Sequence, residues 1–278
     1  MNQKAKKIGL YVGMYVVLAI VVMISLAPLL WVILSSFKTN AAILSSPFSL
    51  PETIDFEPYL RVLKGNNFLL YGWNSLLIAT ASTAVSLFLF SMGAYVLAKF
   101  KFPGRELFFA LFSLTLLVPG HMKTQPIFSL IMNLNLYDTK SGLILVYISG
   151  GLAMSMFVLR SAFHAIPTEI GESATIDGAG FFRTFVQMYL PLAKGGLATA
   201  GILMFLGNWN EYYFASLLTS SASNRTLPYA LAFFNETFAY DYTRMFAALT
   251  IVIIPGIAVY IVAQEQVQMS IAGGSVKG

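Results

Sequence analysis

The chain has 278 residues, 57% of them hydrophobic and only 10% charged. A soluble domain carries about 25% charged residues, so this composition cannot cover a water-facing surface and excludes a soluble enzyme or a disordered regulator. The absence of cysteine excludes a disulfide-stapled module, and a net charge of +5 without a long basic run argues against nucleic-acid binding.

What remains is an all-α, polytopic membrane protein. A bilayer core of about 30 Å takes about 20 apolar residues as a helix. A short N-terminus, residues 1–7, leads into the first expected span at 8–37, which is free of charge up to Lys38. That stretch is too long for a signal-peptide core of roughly 7–15 residues, so it reads as an uncleaved span. The next segment, Lys38 to Phe68, holds Pro47, Pro51 and Pro58 and cannot be one helix. Further spans are expected at 69–98, 107–135, 141–163, 192–218 and 245–265, giving six in all. The third is interrupted at Val118-Pro119-Gly120 and again at Pro126. A short turn lies at Leu136–Thr139, and the polar, aromatic segment from Thr219 to Thr243 has room for a short helix near Tyr229–Glu236. Residues 8–265 form the transmembrane domain and 266–278 a cytoplasmic tail. Placing the N-terminus inside puts Lys4, Lys6, Lys7, Lys99, Lys101 and Arg105 in the first two cytoplasmic segments. Both termini are then cytoplasmic by the positive-inside rule.

The fourth connection, 166–188, differs in kind. Pro167 suits a first helical turn, and Glu169 and Glu172 sit near its positive end. Asp177-Gly178 is a turn signal, and a second short helix is expected over about Ala179–Tyr189 before Leu190-Pro191. The segment reads helix, turn, helix, lying on the membrane. One reading is a plain amphipathic connection. Small residues at Ser173, Ala174, Gly178 and Gly180 permit close approach by another surface, which points to a docking element.

This loop resembles the cytoplasmic signature of ABC-importer permeases: Glu-Ala-Ala, three residues, Gly, nine residues, Ile, one residue, Leu-Pro. Here those positions are Glu172, Ser173, Ala174, Gly178, Met188, Leu190 and Pro191, with every spacing kept and Ser and Met replacing Ala and Ile. The surrounding sequence is similar to the maltose-type, carbohydrate-uptake branch, MalG-like subunit. Asn74-Ser75, Ala94-Tyr95, Phe102-Pro103-Gly104-Arg105 and Trp209-Asn210-Glu211 carry that likeness along nearly the whole chain. The resemblance implies an ABC importer type I permease of a prokaryotic plasma (inner) membrane. Its implied partners are a second homologous permease, two ATPase subunits, an extracytoplasmic solute-binding protein and a sugar. It implies that the partner ATPases bind ATP and Mg, this subunit carrying no cofactor, and that Glu172 faces a basic residue in an ATPase groove. The ending, with Gly273, Gly274 and Lys277, resembles a tail that reaches toward the ATPases; a frayed, glycine-rich terminus is the other reading.

Polar groups at membrane depth default to functional hypotheses. Glu211 lies roughly 29 Å up the fifth span and Lys123 roughly 24 Å up the third. With Gln125, Asn208 and Asn210 they are expected either to line a sugar pathway or to hold helices together. From their similar estimated depth, Lys123 and Glu211 are expected to face a central cavity, within reach of each other or linked by water, with Asn208 below them. His121 has no ligand partner at metal spacing, and no GxxxxGKS phosphate loop exists, so ATP hydrolysis falls to partners. A permease for a non-sugar solute is the alternative, and a secondary transporter, which needs paired intramembrane carboxylates, a more distant one.

Overall fold

The computed structural model describes residues 3–65, 67–231 and 241–275, and every regular element among them is helical. In chain order these are α1 (Gln3–Ser35), α2 (Asn40–Ser45), α3 (Glu57–Lys64), α4 (Phe68–Lys99) and α5 (Arg105–Leu114). Next come α6 (Thr124–Asn133), α7 (Lys140–Gly150), α8 (Leu152–His164), α9 (Glu169–Ile176) and α10 (Phe181–Thr184). The series ends with α11 (Leu190–Leu192), α12 (Lys194–Trp209), α13 (Tyr213–Leu218), α14 (residues 227–231) and α15 (Tyr242–Ser275). A 3-10 turn, Gly120–Lys123, precedes α6, and a π-helical turn, Phe185–Tyr189, joins α10 to α11.

Three helices are singly long and apolar enough to cross a membrane: α1, α4 and the first part of α15. Two bent pairs raise the number to as many as five among the described residues: α7 with α8, at 52°, and α10–α11 with α12, at 82°. The third expected span is not one helix. It consists of α5, the turn at Gly120–Lys123, and α6, because Pro119 has no N–H to continue the ladder. The fifth also breaks, between Trp209 and Tyr213, and this break was not foreseen. The sixth runs past its expected end at 265 to Ser275 as continuous helix.

The chain divides into two compact units, Met1–Asn66 with Leu231–Ile253, and Asn67–Ala230 with Ile254–Gly278. In the first unit, Gly9–Ser35 of α1 has mean hydropathy 2.9, and its most apolar 18-residue stretch has no buried residue. A helix apolar all round belongs in lipid or against another membrane helix. The proline-rich segment breaks into α2 and α3, as its prolines require. The buried Lys38 ammonium donates to Ser46 O (3.3 Å) and Pro47 O (2.9 Å). Thr243 Oγ1 donates to Lys38 O at 2.7 Å, and Trp31 meets Phe246 edge-on at 5.1 Å.

In the second unit α4 is the central helix, packed against α7, α8 and α12. Lipid tails are as apolar as leucine, so such packing relies on close approach and interhelical hydrogen bonds. Both are present. Ser82 Oγ donates to Ile144 O (3.3 Å) and Ser86 Oγ to Ile148 O (3.0 Å). At Gly196 of α12 an added Cβ would lie 2.3 Å from Ala162 Cβ of α8, so only glycine allows this crossing.

Candidate functional site

The connection 166–188 is a helical hairpin seated on the ends of α4 and α8. α9 closes with a left-handed cap: Gly178 has φ +78°, its N–H reaches Thr175 O (3.1 Å), and Ala179 N reaches Ala174 O (2.8 Å). That bonding pattern satisfies the last carbonyls of α9 and favours glycine at position 178. The expected second helix is divided, with Phe181–Thr184 α-helical and Phe185–Tyr189 π-helical.

Tyr95, near the end of α4, is the hub of the seat. Its ring lies 4.8 Å from Tyr189, 5.2 Å from Phe185, 5.4 Å from Phe181 and 5.9 Å from Phe163. A Cβ at Gly171 would come 2.7 Å from Tyr189 Oη, so α9 lies directly on that tyrosine. Lys99 Nζ donates to Ile166 O and sits 5.4 Å over the Tyr189 ring. Aromatic packing of this density makes the hairpin a rigid extension of the bundle.

The outward surface carries Glu169, Glu172, Ser173, Asp177, Gly178 and Gly180, all exposed, as is Pro191. Ala174 does not belong to it: it is buried, facing the bundle, because the helical period turns it away from Glu172 and Ser173. Leu190 is half-buried against the same core. Sequence reasoning missed Ile176, which is 86% exposed at the hairpin tip. Its position four residues after Glu172 was the available signal.

The membrane-depth residues are not gathered as expected. Glu211 sits in the break after α12 and folds its carboxylate back onto α13. Oε1 accepts from Phe214 N (2.7 Å), and Oε2 accepts from Ala215 N (3.0 Å) and from Tyr147 Oη of α7 (2.6 Å). The charge is thus satisfied by a helix N-terminus and a phenol. Lys123 forms no ion pair with it; its Nζ lies 3.4 Å from Thr115 O, a carbonyl released where α5 ends. The two interrupted stretches touch through other residues: Thr124 Oγ1 lies 2.8 Å from Tyr213 Oη, and His121 packs edge-on to Tyr213 at 4.5 Å. Asn208 Nδ2 donates to Thr83 Oγ1 (3.2 Å), bridging α12 to α4. Asn210 bonds back to Leu206 O, and both Asn210 and Gln125 are exposed. Among the described residues no group of three or more His, Cys, Asp or Glu could hold a metal.

At the opposite end of this unit from the hairpin, a knot missed by the sequence reading fixes the loop after α13. Asp138 has φ +53°, and its Oδ1 accepts from Ser220 N (2.9 Å) and Ser221 N (3.0 Å), while Ser221 Oγ donates to Oδ2. Burial works to raise this carboxyl. The hydrogen bonds from Ser221, Ser220 and Asn224 outweigh it and hold the group well below the usual carboxylate range. Asn74 Nδ2 donates to Ser223 O and Arg225 O, both 2.9 Å, and Leu227 N donates to Ser75 Oγ at 2.8 Å. The Asn74-Ser75 pair therefore anchors a loop. Gly273 and Gly274 lie in the last turns of α15; Lys277, and most of the helix expected at Tyr229–Glu236, lie outside the described residues.

Fold and hairpin define a multi-pass, helical membrane protein with a rigid surface hairpin at one end of its bundle. Comparison with known proteins places it more narrowly. Residues 90–272 match the family described as the binding-protein-dependent transport system inner membrane component, and the chain belongs to that family. It is 37% identical, over 91% of its length and 84% of the relative's, to the diacetylchitobiose uptake system permease protein NgcG of Streptomyces coelicolor. To the trehalose transport system permease protein SugB of Mycobacterium tuberculosis it is 32% identical, covering 93% and 95% of the two chains. Its backbone is similar to a chain in the crystal structure of a bacterial ABC transporter that imports the acidic polysaccharide alginate. The TM-score is 0.80 at 26% identity, covering 95% of this chain and 98% of that one.

Proposed function

We propose that this chain is a membrane-spanning permease subunit of an ATP-driven, binding-protein-dependent sugar importer, its cargo an oligosaccharide. Relatives named for diacetylchitobiose, trehalose and starch degradation products support the sugar class. The subunit forms half of a translocation pathway with a second, homologous permease. Two ATPase subunits, which hold ATP and Mg, drive the cycle, and an extracytoplasmic binding protein delivers the sugar. Both termini and the hairpin face the cytoplasm.

The observation that carries the coupling role is the hairpin's construction. Its inner side is locked by Tyr189, Phe185 and Phe181 around Tyr95, while its outer side presents three carboxylates and the bare Ile176. A rigid element with an unpartnered, mixed acidic and apolar tip suits a docking piece that passes rigid-body motion to the bundle. Glu172→Lys and Gly178→Asp are the test. Each should leave the protein in the membrane but weaken ATPase attachment or stop transport of a panel of oligosaccharides. Gly178 has no atom within 4 Å of an added Cβ, so its substitution acts through backbone strain of about 1–2 kcal/mol rather than through packing. Normal transport with either variant contradicts the docking role.

A further inference from the structure

At the hairpin end of the second unit, the connection between α4 and α5 forms an open surface cavity of about 360 Å³ lined by Lys101, Phe102, Gly104, Arg105, Glu106 and Leu107. Lys101 is exposed and makes no hydrogen bond or ion pair among the described residues. Arg105 and Arg160 both hold Glu106 Oε1, at 2.8 and 2.6 Å, and these two bonds keep that carboxyl below its usual range. Its single negative charge is therefore spent between two arginines. Two cations, Lys101 and Arg105, face one carboxylate around the cavity, with Arg160 holding that carboxylate from α8, and the excess is positive.

Leu107, Phe108, Leu111 and Leu114 are all exposed and run from the cavity along one face of α5. A basic pocket thus opens onto an apolar track. The length of α4 fixes the level of the pocket. Its 32 residues reach about 48 Å, slightly more than the roughly 40–45 Å bilayer with headgroups. Its end at Lys99, and Lys101 and Arg105 just beyond it, therefore lie among phospholipid headgroups. A soluble anion has no use for the leucine track, and a zwitterionic lipid none for the excess cations.

We propose that this pocket binds an anionic phospholipid, its phosphate on Lys101 and Arg105 and one acyl chain along Leu107, Leu111 and Leu114. The site lies beside the hairpin seat, since Lys99 at the end of α4 holds Ile166 O.

The test uses the full chain purified with its co-expressed transporter subunits in detergent, with bound lipid counted by native mass spectrometry. Phosphatidylglycerol should be retained in preference to phosphatidylcholine. Lys101→Gln with Arg105→Gln should lower that retention roughly thirtyfold, corresponding to about 1 kcal/mol per removed charge. Lys64→Gln, at an exposed lysine of the other unit, should change nothing. If the double variant fails to fold, Lys101→Gln alone touches no partner and should show about a fivefold loss, which Lys101→Arg restores. Equal retention of phosphatidylglycerol by the wild type and Lys101→Gln overturns the proposal. So does equal retention of phosphatidylcholine, or complete displacement of the lipid by millimolar inorganic phosphate.

Discussion

Replacing Glu211 by glutamine distinguishes a capping carboxylate from a transport charge. The native side chain accepts three hydrogen bonds, from Phe214 N, Ala215 N and Tyr147 Oη. Glutamine keeps one acceptor oxygen and brings an amide that can only donate toward those donors. At least one donor is left unsatisfied beside the buried Ala215, at about 1–3 kcal/mol, and losing the charge at the start of α13 adds about 0.3–1 kcal/mol. Glu211→Gln should therefore destabilise the second unit by roughly 1–4 kcal/mol. The assay is unfolding of the purified protein in lipid nanodiscs, run as two double-mutant cycles. With Tyr147→Phe the effects should be non-additive by about 0.5–3 kcal/mol, since those residues share a bond. With Lys123→Met they should add to within about 0.5 kcal/mol, since Lys123 and Glu211 share no partner. Recovery of stability or transport in Glu211→Gln on adding Lys123→Met would refute the capping assignment and restore the ion pair that membrane depth alone suggested.

Two further outcomes follow from the same unit. Gly196→Ala should cost about 1–3 kcal/mol by overpacking against Ala162, and adding Ala162→Gly should recover most of it in the same unfolding assay. Asp138 has a depressed carboxyl, so its contribution is full above the unfolded value of about 3.9 and is lost as pH falls through the lower folded value. Asp138→Asn should thus be less stable than wild type at neutral pH, with the gap closing as pH drops below about 4; a pH-independent gap would count against a charge-assisted knot.

The hairpin was the most legible part of the sequence. Its signals are local: Pro167 and two acids at a helix start, then Asp177-Gly178 at its end. Local chemistry of this kind acts within a few residues, and the structure returned the cap at Gly178. The apolar lengths of α1, α4 and the start of α15 were legible for a similar reason, since bilayer thickness dictates them. The breaks were partly legible. Pro119 announces one in its own covalent structure, whereas the gap after Trp209 carries no proline or glycine. That gap is held open by Glu211 bonding ahead of itself to α13 and across to Tyr147.

The sequence by itself determined that this chain lives in a membrane, how its apolar stretches are spaced, and where a surface hairpin interrupts them. Composition, bilayer thickness and short-range backbone chemistry suffice for those, because each depends on residues close together in the chain. Only the tertiary structure decided which way each helix is turned about its axis. Residue counting fixes height along a helix at 1.5 Å per residue but leaves rotation to packing. That is why Lys123 and Glu211, similar in counted height, form no ion pair, while Thr124 and Tyr213 meet. It is also why Ala174 faces the bundle while Ile176 stands bare, and why a lone Asp138 in a short turn becomes the anchor of a loop about eighty residues away.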